Sequence, residues 1–73
     1  MKKTYALQGV DCADCARKIQ DKIAGLTGVT LADVNFMFET LTLEADDARF
    51  DAVLGEAQAI IAKIEPDAVL SVG

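Results

Sequence analysis

Apolar and polar residues alternate near the start of the chain and then change to a helical spacing. Alternation over residues 4–8 predicts a half-buried strand that ends at Gly9. From Ala13 onward, apolar residues recur every three or four positions, which predicts an amphipathic helix. Gly25 and Gly28 are expected to end it, because glycine readily takes the left-handed conformation found beyond helix C-termini. The apolar positions of this helix are Cys15, Ile19, Ile23 and Leu26.

Alternation returns after the first helix. Residues 29–36 are predicted to form a second strand with Ala32, Val34 and Phe36 on one face, and residues 40–44 a third with Leu41 and Leu43 inward. The turn between them falls at residues 37–39, although it lacks the Asn-Gly or Asp-Gly pair that most favours a tight hairpin.

A second helical pattern follows, and either Asp46 or Asp47 is expected to cap it. Pro66 should stop this helix near residue 64 or 65, because proline cannot continue a helix and restricts the residue before it. Residues 68–72 then supply a last strand. The predicted core stripe of the helix is Phe50, Val53, Leu54, Ala57, Ile60, Ile61 and Ile64.

This order of elements predicts an α+β fold. A chain of strand, helix, strand, strand, helix, strand forms two right-handed crossover units. The expected result is a ferredoxin-like βαββαβ sandwich, in which a four-stranded antiparallel sheet carries both helices on one face. With 73 residues the chain is expected to be a single domain over residues 1–73.

Charge and composition narrow the possible partners and the compartment. The formal net charge of -5 and the scattered basic residues argue against a nucleic-acid partner. No apolar run approaches the roughly 20 residues that cross a bilayer, and no export signal is visible. Two cysteines close in sequence do not make a secreted disulfide framework, so a reducing cytoplasmic compartment is expected.

The two cysteines lie where a loop meets the first helix. Cys12 and Cys15 are separated by two residues, so both thiols can bind one metal ion or form one disulfide. The N–H groups of a helix N-terminus favour thiolate, whereas the negative charges of Asp11 and Asp14 oppose it and attract a divalent cation. The site is therefore expected to hold protons when empty and to lose them when a metal binds.

The ligand chemistry favours an open site. Cu(I) accepts two sulfurs, whereas Zn(II) and Cd(II) need about four ligands and accept carboxylate oxygen. Asp11 is the residue predicted to supply that oxygen. The chain has no further cysteine and no histidine, so one molecule cannot complete a cage of such ligands. An unsaturated site of this kind suits metal transfer or sensing by ligand exchange.

Other acidic residues have two interpretations. The predicted fold brings Glu65 and Asp67 near the cysteine loop, where either could add a ligand. Ordinary turn chemistry explains the Glu65-Pro66-Asp67 run as well. Asp14 could contribute to the metal site, or it could be a first-turn acid that interacts favourably with the helix dipole.

The context of the cysteines resembles the heavy-metal-associated domains. The resemblance rests on Gly9-Val10-Asp11-Cys12-Ala13-Asp14-Cys15, on Ala16-Arg17-Lys18-Ile19 and on Gly28-Val29. It implies a small metallochaperone or a cytoplasmic amino-terminal module of a P-type ATPase that exports metal. In that family, aspartate before the first cysteine looks like the zinc, cadmium and lead group, whereas threonine or serine is common in copper-handling members.

Two positions depart from the family pattern. Val10 replaces the usual methionine, and one buried apolar side chain for another should preserve the loop anchor. Residues 64–66 stand where copper-handling members often place lysine, tyrosine or phenylalanine, which again separates this chain from the copper type.

The resemblance implies a metal-binding module that is not itself an enzyme. We expect it to bind Zn(II), Cd(II) or Pb(II) through Cys12, Cys15 and Asp11, and to feed or regulate an exporter in the inner (plasma) membrane. Its partners would be the membrane and ATP-binding domains of the same transporter. The empty domain is expected to be a monomer, and a metal-bridged dimer is conceivable. Alternatives are a free-standing chaperone, including one for Cu(I), a dithiol oxidoreductase with Cys12 as nucleophile, and a small interaction domain whose cysteines are incidental.

Overall fold

The computed structural model describes residues 1–71 and contains the predicted order of elements. Residue 72, which the sequence assigned to the last strand, lies outside the described residues. The elements are β1 (Lys2–Gln8), α1 (Ala13–Ala24), β2 (Val29–Asn35), β3 (Thr40–Ala45), α2 (Phe50–Ile64) and β4 (Val69–Ser71).

The four strands form one antiparallel sheet in the order β2-β3-β1-β4. Side chains from three strands and both helices share one hydrophobic core, which confirms the ferredoxin-like arrangement. Within that core, the stripe predicted for α2 is confirmed, since Phe50, Val53, Ala57 and Ile61 are buried and its other members pack at the margin. The largest fully buried side chains are Leu7, Ile19, Ile23, Leu41, Leu43 and Val53.

The prediction that Phe36 continues the strand face of Ala32 and Val34, which are buried, is wrong. β2 ends at Asn35, and Phe36 is 37% exposed. The Asn35 side-chain oxygen accepts hydrogen bonds from the backbone N–H groups of Met37 and Phe38, both at 3.0 Å. An asparagine side chain that binds the backbone ahead of it folds a turn, so the strand stops one residue early.

The predicted cap of the second helix is also wrong. The N-cap position of α2 is Arg49, which makes no side-chain capping hydrogen bond. The Asp46 carbonyl accepts a hydrogen bond from the Arg49 N–H at 2.9 Å, so a turn separates β3 from the helix. The Asp47 carboxylate instead pairs with the Met1 ammonium group at 2.8 Å.

Gly25 and Gly28 were predicted to end α1 by taking the left-handed conformation, and only one of them has it. Gly28 has φ of +90°, in the left-handed region. Gly25, the C-cap residue, has φ of -82° and remains right-handed. The helix therefore stops at Ala24 through a right-handed turn, and the glycine conformation is required only where the chain enters β2.

Three connections lie side by side at one end of the sheet. Gln8 pairs with Val69, and the Leu7 N–H donates to the Glu39 carbonyl at 2.8 Å. The loop 9–12, the hairpin turn 36–39 and the turn 65–68 therefore meet there, and we call this region the loop end. Among residues 1–71, no helix is long and apolar enough to cross a membrane.

Candidate metal centre

The loop that carries the cysteines starts from a glycine with a left-handed backbone. Gly9 has φ of +91°, and a Cβ atom placed on it would lie 2.8 Å from the Asp67 carbonyl oxygen. Only a residue without a side chain allows the turn 65–68 to approach this closely. Next along the chain, Val10 is 3% exposed and anchors the loop in the core, as the sequence predicted.

The two cysteines occupy different positions at the start of α1. Cys12 is the N-cap residue and is exposed, while Cys15 lies in the first turn, half-buried against the core. Both thiols are free. Because the carbonyl of Cys12 accepts a hydrogen bond from the Ala16 N–H at 3.0 Å, the helix fixes the backbone of both residues.

Backbone dipoles favour the thiolate of Cys12. The Cys15 N–H lowers the pKa of Cys12 most, the Asp14 N–H and the Cys15 thiol lower it further, and burial and the Asp14 charge act against them. The sulfur makes no full capping hydrogen bond, so the N–H groups act mainly through their dipoles. Cys12 is therefore the thiol that loses its proton first.

The second thiol holds its proton more strongly. Hydrogen bonding to the Cys12 side chain is the main cause that raises the pKa of Cys15, which reaches about 11. Burial, the Cys12 charge and the charge and hydrogen bonding of Glu65 all act in the same direction. A metal that binds both sulfurs must therefore displace a tightly held proton from Cys15.

The structure brings some of the predicted site residues together. Glu65 is half-buried and acts on the Cys15 thiol, whereas Asp11 and Asp14 are exposed. Within residues 1–71, no three cysteine, histidine, aspartate or glutamate side chains converge as a ready three-ligand group. A third ligand from this chain would therefore have to move toward the sulfurs when a metal binds. The complete ligand set therefore stays a prediction.

Sequence reasoning missed the contact that positions Glu65. The approach of Gly9 to the Asp67 carbonyl holds the turn 65–68 against the cysteine loop. A glycine directly before the loop was the available signal, but its partner is distant in sequence. Together these features present two exposed or half-exposed sulfurs beside carboxylates, an arrangement that can take up a soft or borderline cation and release it by ligand exchange.

The sequence that contains these residues matches a known domain family and segments of known transport ATPases. The heavy-metal-associated domain family matches residues 4–68. The cadmium, zinc and cobalt-transporting ATPase of Bacillus subtilis is 36% identical over 66 residues, which are 90% of this chain and 9% of that protein. The copper-exporting P-type ATPase of the same organism is 40% identical over 43 residues, 59% of this chain and 5% of that protein.

A solved structure supports the fold. The CopZ metallochaperone superposes with a TM-score of 0.77 at 18% identity, covering 97% of this chain and 100% of that one. At this identity the likeness shows the ferredoxin-like fold alone. The chain spans less than a tenth of the length of the two ATPases above, so the likeness concerns one small segment of each.

Proposed function

The chain belongs to the heavy-metal-associated domain family, and we propose that it binds a divalent Zn(II), Cd(II) or Pb(II) ion and delivers it to, or regulates, a P-type ATPase that exports such ions. The observation that carries this proposal is the pair Cys12 and Cys15 at the head of α1, directly preceded by Asp11. The domain performs no catalysis of its own in this proposal. Its cargo is the metal ion.

The charges of the site favour a divalent ion over a monovalent one. Asp11 and Asp14 flank the thiols in sequence, and Glu65 acts on Cys15. A divalent ion neutralises the two thiolates that it creates, and a carboxylate from Asp11 adds the oxygen ligand that zinc accepts. We assign Cys12, Cys15 and Asp11 as ligands, with Glu65 and Asp14 as additional candidates.

The size of the match supports a module within a larger transporter. This chain corresponds to 9% of the cadmium, zinc and cobalt-transporting ATPase. In this proposal, residues 1–73 are one amino-terminal domain on the cytoplasmic side of the plasma membrane, and the receiving partners are the membrane and ATP-binding domains. A free-standing chaperone with the same site is the alternative.

A copper-handling role is the second candidate function. It is favoured by the 40% identity to the copper-exporting ATPase over 43 residues. Two sulfurs suffice for Cu(I), so this role would not need Asp11.

One titration separates the two functions. The reduced domain is titrated in competition with chelators of known affinity against Zn(II), Cd(II), Pb(II) and Cu(I), and the titration is repeated on Asp11→Ala and, for comparison of the two carboxylates, on Asp14→Ala. Stoichiometric divalent binding that weakens in Asp11→Ala more than in Asp14→Ala supports the proposal. Tight Cu(I) binding with feeble divalent binding, unchanged in Asp11→Ala, would move the domain to copper handling.

A further inference from the structure

The hairpin turn beside the metal loop exposes three large apolar side chains in a row. Met37 is 77% exposed, Phe38 is 78% exposed and Phe36 is 37% exposed. Single exposed apolar residues are ordinary, but adjacent aromatic and methionine side chains at the tip of a turn are typical of interaction sites. We call these three residues the hairpin patch.

The hairpin patch is fixed by contacts that do not involve its own side chains. The Asn35 side-chain oxygen accepts from the N–H groups of Met37 and Phe38, each at 3.0 Å. The Glu39 carbonyl accepts from the Leu7 N–H at 2.8 Å, which ties the turn to β1 just before the cysteine loop. The side chains of Met37 and Phe38 therefore serve neither the core nor the turn, and they stand on the same end of the sheet as the two thiols.

The three connections at the loop end carry acidic rather than basic side chains. The loop 9–12, the turn 36–39 and the turn 65–68 contain no lysine or arginine. Their ionisable residues besides Cys12 are Asp11, Glu39, Glu65 and Asp67. A partner that covers this end must bring apolar surface for the patch and positive charge for its rim.

We propose that the hairpin patch is a docking anchor for the protein that receives the metal, which presents an apolar depression bordered by lysine or arginine. The inference rests on the proposed delivery of metal to a transporter. Docking here would place the receiving ligands beside Cys12 and Cys15, because the hairpin and the cysteine loop lie on adjacent strands about 5 Å apart.

Charge disfavours the other occupants of this surface. A second copy would oppose the same acidic rim to itself, and like charges across an interface cost binding free energy. An anionic lipid surface would repel the rim in the same way. Both remain as outcomes of the experiment.

Photo-crosslinking tests the proposal directly. The soluble domain carries p-benzoylphenylalanine at position 38 or, as a control, at position 31, since Leu31 is also exposed, at 38%, but lies on β2. The probe is a membrane vesicle that contains the Bacillus subtilis cadmium, zinc and cobalt-transporting ATPase without the segment that matches this chain. We expect an adduct with the ATPase from position 38 and much less from position 31, and we expect added salt to reduce it.

Competition measures the contribution of the patch. Unlabelled domain should suppress the adduct from position 38, and the Met37→Ser/Phe38→Ser variant should need about tenfold more protein to do so, as truncation of hot-spot residues does. The control Leu31→Ser should compete like the unaltered domain. Circular dichroism and metal titration of the double variant should be unchanged, because the turn does not depend on these side chains.

The outcomes separate this proposal from the proposed function. Equal adducts from positions 31 and 38, adducts only between two copies, or adducts only with lipid would overturn docking through the hairpin patch. Failure of the domain to bind any metal, with the adduct from position 38 intact, would instead overturn the metal-delivery function and leave the docking surface standing.

Discussion

The two ends of the sheet use their charged residues differently. At the end opposite the cysteines, the Met1 ammonium pairs with Asp47 at 2.8 Å, and Arg49 lies 4.0 Å from Glu56 and donates to the Thr27 carbonyl at 3.4 Å. Among residues 1–71 both ion pairs lie on that side. At the loop end, the Cys12 thiol, the Asp11 carboxylate and the apolar side chains of Met37 and Phe38 are exposed instead. At the end opposite the cysteines, charged groups pair with other groups of the fold. At the loop end, polar groups are available to bind a ligand.

Removal of either thiol should give the largest effect on metal binding. Cys12→Ser or Cys15→Ser replaces a thiolate ligand with a hydroxyl, and we expect affinity for Cd(II) or Zn(II) to fall by more than the roughly 100-fold that loss of an outer-shell partner can cost. Competitive titration measures this loss. The control Arg49→Ala alters the opposite end and should leave affinity unchanged. Equal losses of metal affinity in Cys12→Ser, Cys15→Ser and Arg49→Ala would contradict the assignment of metal binding to the loop end alone.

The fold itself should not depend on the metal. The core draws on Leu7, Ile19, Leu41 and Val53, none of which lies in the site. Chelation should therefore leave helical circular dichroism intact in every variant. Its loss on chelation would mean that the loop end also stabilises the fold.

The pH dependence of metal affinity should show two slopes. Protons compete with the metal, so affinity rises with pH. Below the lowered pKa of Cys12 both thiols are protonated, and release of two protons makes affinity rise about 100-fold per pH unit. Above that pKa, and up to the pKa of Cys15 at about 11, one proton remains to be released, so the rise is about tenfold per unit. Cd(II) titrations over a pH series, corrected for the chelator, measure both slopes. A single tenfold rise in affinity per pH unit from acidic pH upward would show that metal binding releases only one proton.

One glycine at each end of the sheet has the same backbone conformation. Alanine at each position therefore compares the two ends by the loss of unfolding free energy. Gly9 has φ of +91° and Gly28 has φ of +90°, so alanine at either should cost about 1–2 kcal/mol in backbone strain. At Gly28 the added Cβ meets the Arg49 side chain at 3.3 Å, which can move, whereas at Gly9 it meets the Asp67 backbone at 2.8 Å. Gly9→Ala should therefore lower the free energy of unfolding more than Gly28→Ala, as urea denaturation can measure. An equal loss of unfolding free energy in both variants would show that the turn 65–68 moves away from the added Cβ atom at no cost in free energy.

The sequence predicted what depends on local periodicity and missed what depends on distant contacts. The α2 stripe and the strands could be predicted because burial follows the helical and strand periods. Phe36 was placed on the face of Ala32 and Val34 because the alternation of apolar and polar residues continues to it, whereas the Asn35 side chain already folds the backbone into a turn. Asp47 looks like a cap in sequence but pairs with Met1.

The candidate metal site also has features that the sequence predicts and features that depend on distant contacts. The thiols and the acidic residues beside them are visible in the sequence, since they are neighbours along the chain. Two features come from contacts between distant residues: the approach of Gly9 to Asp67, and the packing of β1 beside the hairpin. The pKa difference between Cys12 and Cys15 depends on side-chain positions that spacing alone does not determine.

The smallest effect should come from Glu65, which acts on the Cys15 thiol from the turn 65–68. Glu65→Gln removes a negative charge, so the pKa of Cys15 should fall from about 11, but only slightly, because Cys12 and burial raise it more. Thiolate absorbance followed against pH measures the change, and Glu56→Gln, in α2 beside Arg49, is the matched control. If Glu65 acts only through its charge, Cd(II) affinity should change little in Glu65→Gln, because the easier loss of the Cys15 proton opposes the lost attraction for the cation. If binding weakens strongly instead, the carboxylate itself contacts the ion, and the turn 65–68 belongs to the metal site.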